Sequence, residues 1–188
     1  MTPPGPVVRT ADGAAALQAV RELFLEYQQA IGVDLCFQGF EEEVALLPGR
    51  YGRPLGCLLL AMDGDKAAGV IGMGPLGDGP GKPTISEMKR LYVRPPWRGT
   101  GLGRELSVAA IEAARRAGHK TLRLNTLEFM AAARKLYRSL GFVEIPAYYD
   151  NPMDGVLYME LAFEYAVAIF VRRRDGCCRA RIRGGIDG

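Results

Sequence analysis

The stretch Leu91-Tyr92-Val93-Arg94-Pro95-Pro96-Trp97-Arg98-Gly99-Thr100-Gly101-Leu102-Gly103-Arg104 decides the reading of this chain. Ile85 to Val93 is predicted as a strand, ended by Pro95 and Pro96. Leu102 to Ala117 is the clearest helix. Its residues Leu102, Leu106, Ala109, Ala110 and Ala113 share one face, while Arg104, Glu105, Glu112, Arg115 and Arg116 point elsewhere. Gly118 is its expected C-cap. The glycine run therefore joins the carboxyl end of a strand to the first turn of a helix. Glycines there let the backbone come close to a ligand. The helix start adds unpaired N–H groups and a partial positive charge, which suit a pyrophosphate. Arg98 and Arg104 place further charge at the rim.

Two familiar phosphate loops do not fit. A P-loop needs Gly-Lys-Ser/Thr after its glycines, and Leu102-Gly103-Arg104 stands there instead. A dinucleotide fingerprint needs Gly-x-Gly-x-x-Gly and an acid about 20 residues on. Here the spacing is Gly-x-Gly-x-Gly, and Leu122 to Asn125 holds no acid. A purely structural glycine loop leaves the flanking strand and arginine unexplained.

Outward from this stretch the pattern alternates between strand and helix. Val7 to Thr10 is a short strand. Asp12 is a candidate N-cap for a helix whose stripe is Leu17, Val20, Leu23, Phe24 and Tyr27. Phe40 to Leu47 forms a second, shorter helix, with Glu41, Glu42 and Glu43 read as a solvated face. Leu55 to Met62 and Ala67 to Met73 pair as a hairpin around Asp63-Gly64-Asp65-Lys66. Gly74 to Pro83 is a loop. Thr121 to Asn125 is a strand, Phe129 to Leu140 a helix, and Phe142 to Ile145 and Val156 to Phe163 two last strands. The fold class is mixed α/β (α+β), with a βαβα unit in the second half.

Composition restricts the classes. The chain of 188 residues is 48% hydrophobic and 24% charged, an ordinary single-domain balance. No apolar run of about 18 residues is present, so no membrane helix is expected. The start, MTPPGPVVRT, does not resemble a secretory signal. A net charge of +3 is too small to argue for nucleic acid. Four cysteines without a C-x-x-C pair and a single histidine give no metal site, and they fit reduced thiols in the cytoplasm. Cys57 is expected in the core and His119 in a surface turn. Past Phe163, Glu164 to Val171 reads as one more strand before an arginine-rich tail. That tail is expected as a flexible basic extension, with a nucleic-acid or acidic-lipid contact the weaker reading.

The run Arg98 to Gly103 after Leu91-Tyr92-Val93-Arg94-Pro95 resembles motif A of the GNAT (GCN5-related N-acetyltransferase) superfamily. Ala133-Arg134-Lys135-Leu136-Tyr137-Arg138-Ser139-Leu140-Gly141-Phe142 is similar to its motif B. A weaker likeness runs from about Val7 to Phe163, giving residues 1–163 as the catalytic domain and 164–188 as an extension.

The resemblance implies a mixed, mostly antiparallel sheet with two splayed parallel strands and flanking helices. It implies that acetyl-CoA is the co-substrate, without a metal, and that an amine of a small molecule or peptide attacks its thioester directly. Leu91, Tyr92 and Val93 would face the pantetheine arm, with Val93 N–H polarising the carbonyl. Arg98, Gly99, Thr100, Gly101, Leu102 and Gly103 would hold the pyrophosphate, with Arg104 close by. Tyr137 matches the general acid. Glu87 matches the glutamate base of some relatives, or else pairs with Lys89 or Arg90. Met130 stands where many relatives carry an asparagine on the pantetheine, and Asn125 is a loose substitute. A homodimer is in keeping with the family. A non-catalytic acyl-CoA-binding module is the alternative. In the enzyme reading, calorimetric titration of acetyl-CoA shows binding to the wild type and its loss in Gly101→Glu, whose carboxylate repels the pyrophosphate.

Overall fold

The computed structural model describes residues 5–33, 35, 39–77 and 84–163. The expected strand at 164–171, the arginine-rich tail and Cys36, Cys177 and Cys178 lie outside them. The element order is β1 (Val7–Thr10), α1 (Ala14–Ile31), α2 (Phe40–Ala45), β2 (Cys57–Asp63), β3 (Lys66–Pro75), β4 (Ile85–Val93), α3 (Leu102–Arg116), β5 (Thr121–Leu127), α4 (Ala131–Ser139), β6 (Val143–Ile145) and β7 (Val156–Ala162). Seven strands form one sheet in the order β1-β2-β3-β4-β5-β7-β6. Every neighbouring pair is antiparallel except β4 with β5.

Helices cover both faces of this sheet. One core lies under α3 and α4 and holds Ile71, Met88, Leu106, Leu122, Leu124 and Tyr137. The other lies under α1 and α2 and holds Val20, Leu23, Phe24, Phe40, Tyr51 and Val70. With helices on both sides, β3 is buried along nearly its whole length, so it reads as an apolar run rather than an alternation. Each fully buried Leu or Phe contributes about 1.5–3 kcal/mol.

Local details depart from expectation. The N-cap of α1 is Gly13, without a side-chain cap bond. Asp12 is exposed and only 3.9 Å from Arg53. The C-cap of α3 is Ala117, and Gly118 takes the left-handed position after it. The buried stripe of α3 is Leu102, Leu106, Ser107, Ala110, Ile111 and Ala114, with Ala109 and Ala113 on its shoulder. α4 begins at Ala131, leaving Phe129 exposed in the turn before it. His119 is not a surface residue. It is fully buried, with Nε2 2.8 Å from the Leu55 carbonyl oxygen, and joins the end of α3 to the approach to β2.

β4 carries a bulge that shapes everything after it. Val70 pairs with Tyr92 and Gly72 with Lys89, so Arg90 and Leu91 together oppose Ile71. Arg90 adopts φ 60°, which a non-glycine residue rarely does. Its guanidinium is held on two sides of Glu43: Nε donates to Oε1 at 3.1 Å and Nη2 to Oε2 at 2.8 Å. Tyr51 donates to the same Oε1 at 2.7 Å, and its ring lies so close to Gly72 that a Cβ there would sit 2.7 Å from it. Phe40 and Tyr27 place their rings 5.0 and 5.9 Å from the guanidinium. Glu43 is therefore not part of a solvated face, while Glu41 and Glu42 are exposed.

Burial alone would raise the Glu43 pKa, but the Arg90 hydrogen bonds and charge outweigh it and hold the carboxyl below its ordinary value. A depressed carboxylate pKa stabilises the fold above the unfolded pKa, about 4.3, and that stability is lost as pH falls through the folded value. Glu43→Gln is expected to lower the unfolding free energy by about 3–5 kcal/mol near neutral pH, because it strands a buried guanidinium. Urea denaturation at about pH 7 and about pH 3.5 checks this, and the difference from wild type narrows at the lower pH.

Candidate active site

The two parallel strands separate soon after they meet. Ile85, Ser86 and Glu87 pair with Thr121, Leu122 and Arg123, and the parallel ladder ends there. Beyond it, β4 stays paired with β3 through Val93, and β5 stays paired with β7 through Leu127. A cleft opens between Met88–Val93 and Leu124–Leu127. Its inner wall includes Leu91, Asn125, Met130 and Tyr137. It continues outward as a groove of about 500 Å³ bordered by Tyr27, Leu91, Val93, Arg98, Phe129 and Met130.

Strand geometry gives this cleft a row of backbone groups. The Arg94 N–H donates to the Ala68 carbonyl on β3 at 2.9 Å. Alternation along β4 then turns the amides of Val93 and Leu91 the other way, into the opening. Tyr92 turns its backbone to β3 and its side chain into the α1 core, beneath the Arg98 guanidinium at 5.6 Å. Arg98 Nε donates to the Val93 carbonyl at 2.9 Å. The strand end is fixed by Arg94, which binds Glu26 of α1 through Nε and Nη2 at 2.6–3.2 Å and the Ala67 carbonyl through Nη1 at 2.8 Å.

At the mouth, the glycine loop presents amides. Gly99 and Gly101 adopt φ 78° and 94°, and nothing lies within 4 Å of where their Cβ atoms would be. Arg104 and Glu105 both donate their N–H to the Gly101 carbonyl, at 2.9 and 3.1 Å. The Leu102 and Gly103 N–H groups precede these first helical bonds, where no intrahelical acceptor exists. Thr100 Oγ1 donates to the Trp97 carbonyl at 2.7 Å, and Trp97 Nε1 to Asp63 Oδ2 at 2.9 Å, which pins the loop to the β2–β3 turn. Arg104 reaches α4, where Nη1 donates to Ser139 Oγ at 2.8 Å.

Tyr137 comes from α4 and is buried edge-to-face on Phe142, with ring centroids 5.9 Å apart. It belongs to the core and also borders the cleft. Burial pushes its phenol above the ordinary tyrosine value, so it keeps its proton. Asn125 faces the same cleft, and its Nδ2 donates to Tyr149 Oη at 2.6 Å. Met130 occupies the N-cap of α4.

Glu87 is placed elsewhere, among the buried groups on the α2 side. It is 1% exposed, and Oε1 accepts from Tyr148 Oη at 2.8 Å. Oε2 faces Arg50 and Lys89, each at 3.4 Å. Its ion partners are therefore Lys89 and Arg50, and Arg90 is committed to Glu43. Tyr148, Tyr149 and Tyr158 pack edge-to-face with centroids 4.9–5.4 Å apart between Glu87 and the β6–β7 connection. Sequence reasoning named Lys89 only as a partner for Glu87 and passed over Arg50. Lys89 stands two residues from Glu87 in an alternating strand, which puts both on one face. Arg50 lies in a turn, and no local pattern marks it. Among the described residues, no cluster of His, Cys, Asp and Glu could hold a metal ion. No described helix is long and apolar enough to cross a membrane.

Known proteins share this architecture. The family model described as the acetyltransferase (GNAT) family matches residues 17–142. An uncharacterized N-acetyltransferase of Schizosaccharomyces pombe is 40% identical over 146 residues, covering 77% of this chain and 87% of its own. An acetyltransferase from Streptococcus agalactiae superposes with a TM-score of 0.68 at 18% identity, over 85% of this chain and 99% of its own. A putative acetyltransferase from Salmonella typhimurium, solved with acetyl-CoA, gives 0.65 at 23% identity, over 87% and 98%. The motif match, the splayed parallel strands and the glycine-led helix agree with these likenesses, and the chain belongs to the acetyltransferase (GNAT) family.

Proposed function

We propose that this chain holds acetyl-CoA in the cleft between β4 and β5 and passes its acetyl group to an amine by direct attack. The protein is an N-acetyltransferase with acetyl-CoA as co-substrate. The observation that carries the site reading is the separation of β4 from β5 directly after Glu87 and Arg123, with Tyr137 in the wall of the gap.

The residues divide the work by chemistry. The Leu91 and Val93 backbones face the pantetheine arm as a neighbouring strand would. Val93 N–H is positioned to donate to the thioester carbonyl as negative charge develops there. The amides from Gly99 to Gly103 receive the pyrophosphate, supported by the start of α3, with Arg98 at the rim. Arg104 acts more indirectly, by joining α3 to α4 through Ser139. Asn125 lies on the opposite wall and supplies a polar group near Met130. As the amine nitrogen bonds to the acetyl carbon and the carbon–sulfur bond breaks, Tyr137 donates its proton to the departing thiolate, and the proton released by the amine restores the phenol. The phenol is protonated at neutral pH and so has the proton to give. The geometry of Glu87 fits the ion-pair reading, because Tyr148, Lys89 and Arg50 already surround its carboxylate.

The wider assignment includes a cytoplasmic location, the setting in which four cysteines without a C-x-x-C pair remain thiols. It includes a homodimer, in keeping with the family resemblance. The catalytic domain is taken as residues 1–163 and the extension as 164–188, the bounds to which the family resemblance runs. The test of the reaction is Tyr137→Phe. Release of CoA thiol at saturating acetyl-CoA should show kcat reduced about 10²–10⁴-fold, with calorimetric affinity for acetyl-CoA retained. Wild-type kcat in this variant would reduce Tyr137 to a packing residue.

A further inference from the structure

Lys89 borders two spaces at once. It lines the cleft beside Leu91, Asn125 and Tyr137. It also lines a groove beneath α2 that is bordered by Glu42, Glu43, Arg50 and Tyr51. An acceptor that enters by the groove meets the cleft at this side chain. The charges here do not balance locally. Arg90 is bound on both sides of Glu43, and Arg123 Nε donates to Glu160 at 2.7 Å. Arg50, whose Nη2 also donates to the Pro75 carbonyl at 2.9 Å, and Lys89 share a single oxygen of Glu87, each at 3.4 Å from it. That is longer than a charge-assisted hydrogen bond of about 2.7–2.9 Å. The other oxygen of Glu87 is taken by Tyr148. The inner cluster thus holds three cations, Arg50, Lys89 and Arg90, against two anions, Glu43 and Glu87. Glu42, the remaining acid of the groove, is exposed on α2.

A lysine 13% exposed pays for desolvation with little direct pairing. Burial holds its ammonium below the ordinary lysine value, and Glu87 offsets this only in part. Lys89 carries three donors, and its described contacts are Glu87 and the face of Tyr149 at 5.7 Å. An incoming anion would complete the set.

We propose that Lys89 and Arg50 bind a carboxylate on the acceptor, so that the substrate is a small amino acid. This rests on the acetyltransferase reading above. The placement is suitable: Lys89 lines the cleft together with Leu91, Asn125 and Tyr137, so a group held by its ammonium lies inside the cleft. A carboxylate on Lys89 keeps the amine of a small amino acid within the cleft that also holds Tyr137, and the spacing between carboxylate and amine sets how far that amine reaches toward Val93. A cationic acceptor such as a polyamine finds no matching anion within the cluster, because Glu43 is bound by Arg90 and Tyr51.

The experiment measures kcat/KM for α-, β- and γ-amino acids, each paired with its amide, together with polyamines. Wild type, Lys89→Met and Arg50→Gln are compared, and acetyl-CoA affinity is followed by calorimetry. At least one amino acid should exceed its amide by about 10–100-fold in the wild type, the range expected for a hydrogen bond to a charged group. Lys89→Met should abolish that preference through KM for the amino acid, with acetyl-CoA affinity retained. Arg50→Gln, at the more exposed rim, should weaken it and carries the test if Lys89→Met does not fold. Equal use of amino acid and amide, or a polyamine preference, overturns the proposal. So does refusal of every amino acid by a protein that binds acetyl-CoA. Failure of the wild type to bind acetyl-CoA instead overturns the acetyltransferase reading beneath it.

Discussion

The pairing of Arg90 with Glu43 is the constraint on which the cleft depends. A bulge in an antiparallel strand bends and twists that strand. Here the bulged residue is an arginine in the left-handed region, a costly conformation without a glycine. One edge of its guanidinium, Nε and Nη2, is held by the two oxygens of one carboxylate, and that carboxylate is fixed by Tyr51, which packs against Gly72 on the neighbouring strand. The bulge is thus tied through α2 back to β3. Past it, Leu91 and Val93 diverge from β5, and their amides are left facing open space.

The sheet separates two tasks by face and by end. On the α3 side, Leu106, Leu122 and Met159 form an apolar bed beneath Tyr137. On the α2 side, Glu87, Lys89, Arg50 and the three packed tyrosines form a polar, charged floor. The cleft lies where these meet. The buried phenol of Tyr137 and the charged cluster of Glu87, Lys89 and Arg50 are neighbours because β4 passes between them.

The sequence was most legible where function is written locally. Strand β4 was read with its observed bounds, and the helix after the glycine loop was misplaced by one residue at its end. Short motifs single out Arg98 to Gly103 and Tyr137, and the structure brings the loop to the start of α3 and Tyr137 to the border of the cleft, since spacing within a loop or helix survives without knowledge of tertiary contacts. The misreadings share a physical cause, which is long-range partnership. His119 looks like a turn residue until the Leu55 carbonyl, far away in sequence, is brought to its ring. Glu43 looks solvated beside Glu41 and Glu42 until the β4 bulge delivers Arg90. Asp12 has the chemistry of an N-cap, yet Gly13 occupies the cap. The groove shared by Arg50 and Lys89 had no sequence pattern at all, because a turn and a strand supply one residue each.

The two halves of the site are made of different material. The donor side, as proposed, is built largely from main-chain groups: the amides of Leu91, Val93, Leu102 and Gly103 and the open glycine turns. Many side chains can be exchanged without changing where a main-chain amide points. The acceptor floor, as proposed, is built from side chains, and one replacement at Lys89 or Arg50 alters its charge. Over evolutionary time such a chain can therefore drift in what it modifies while the grip on its donor stays fixed. The scaffold is conservative toward one substrate and permissive toward the other.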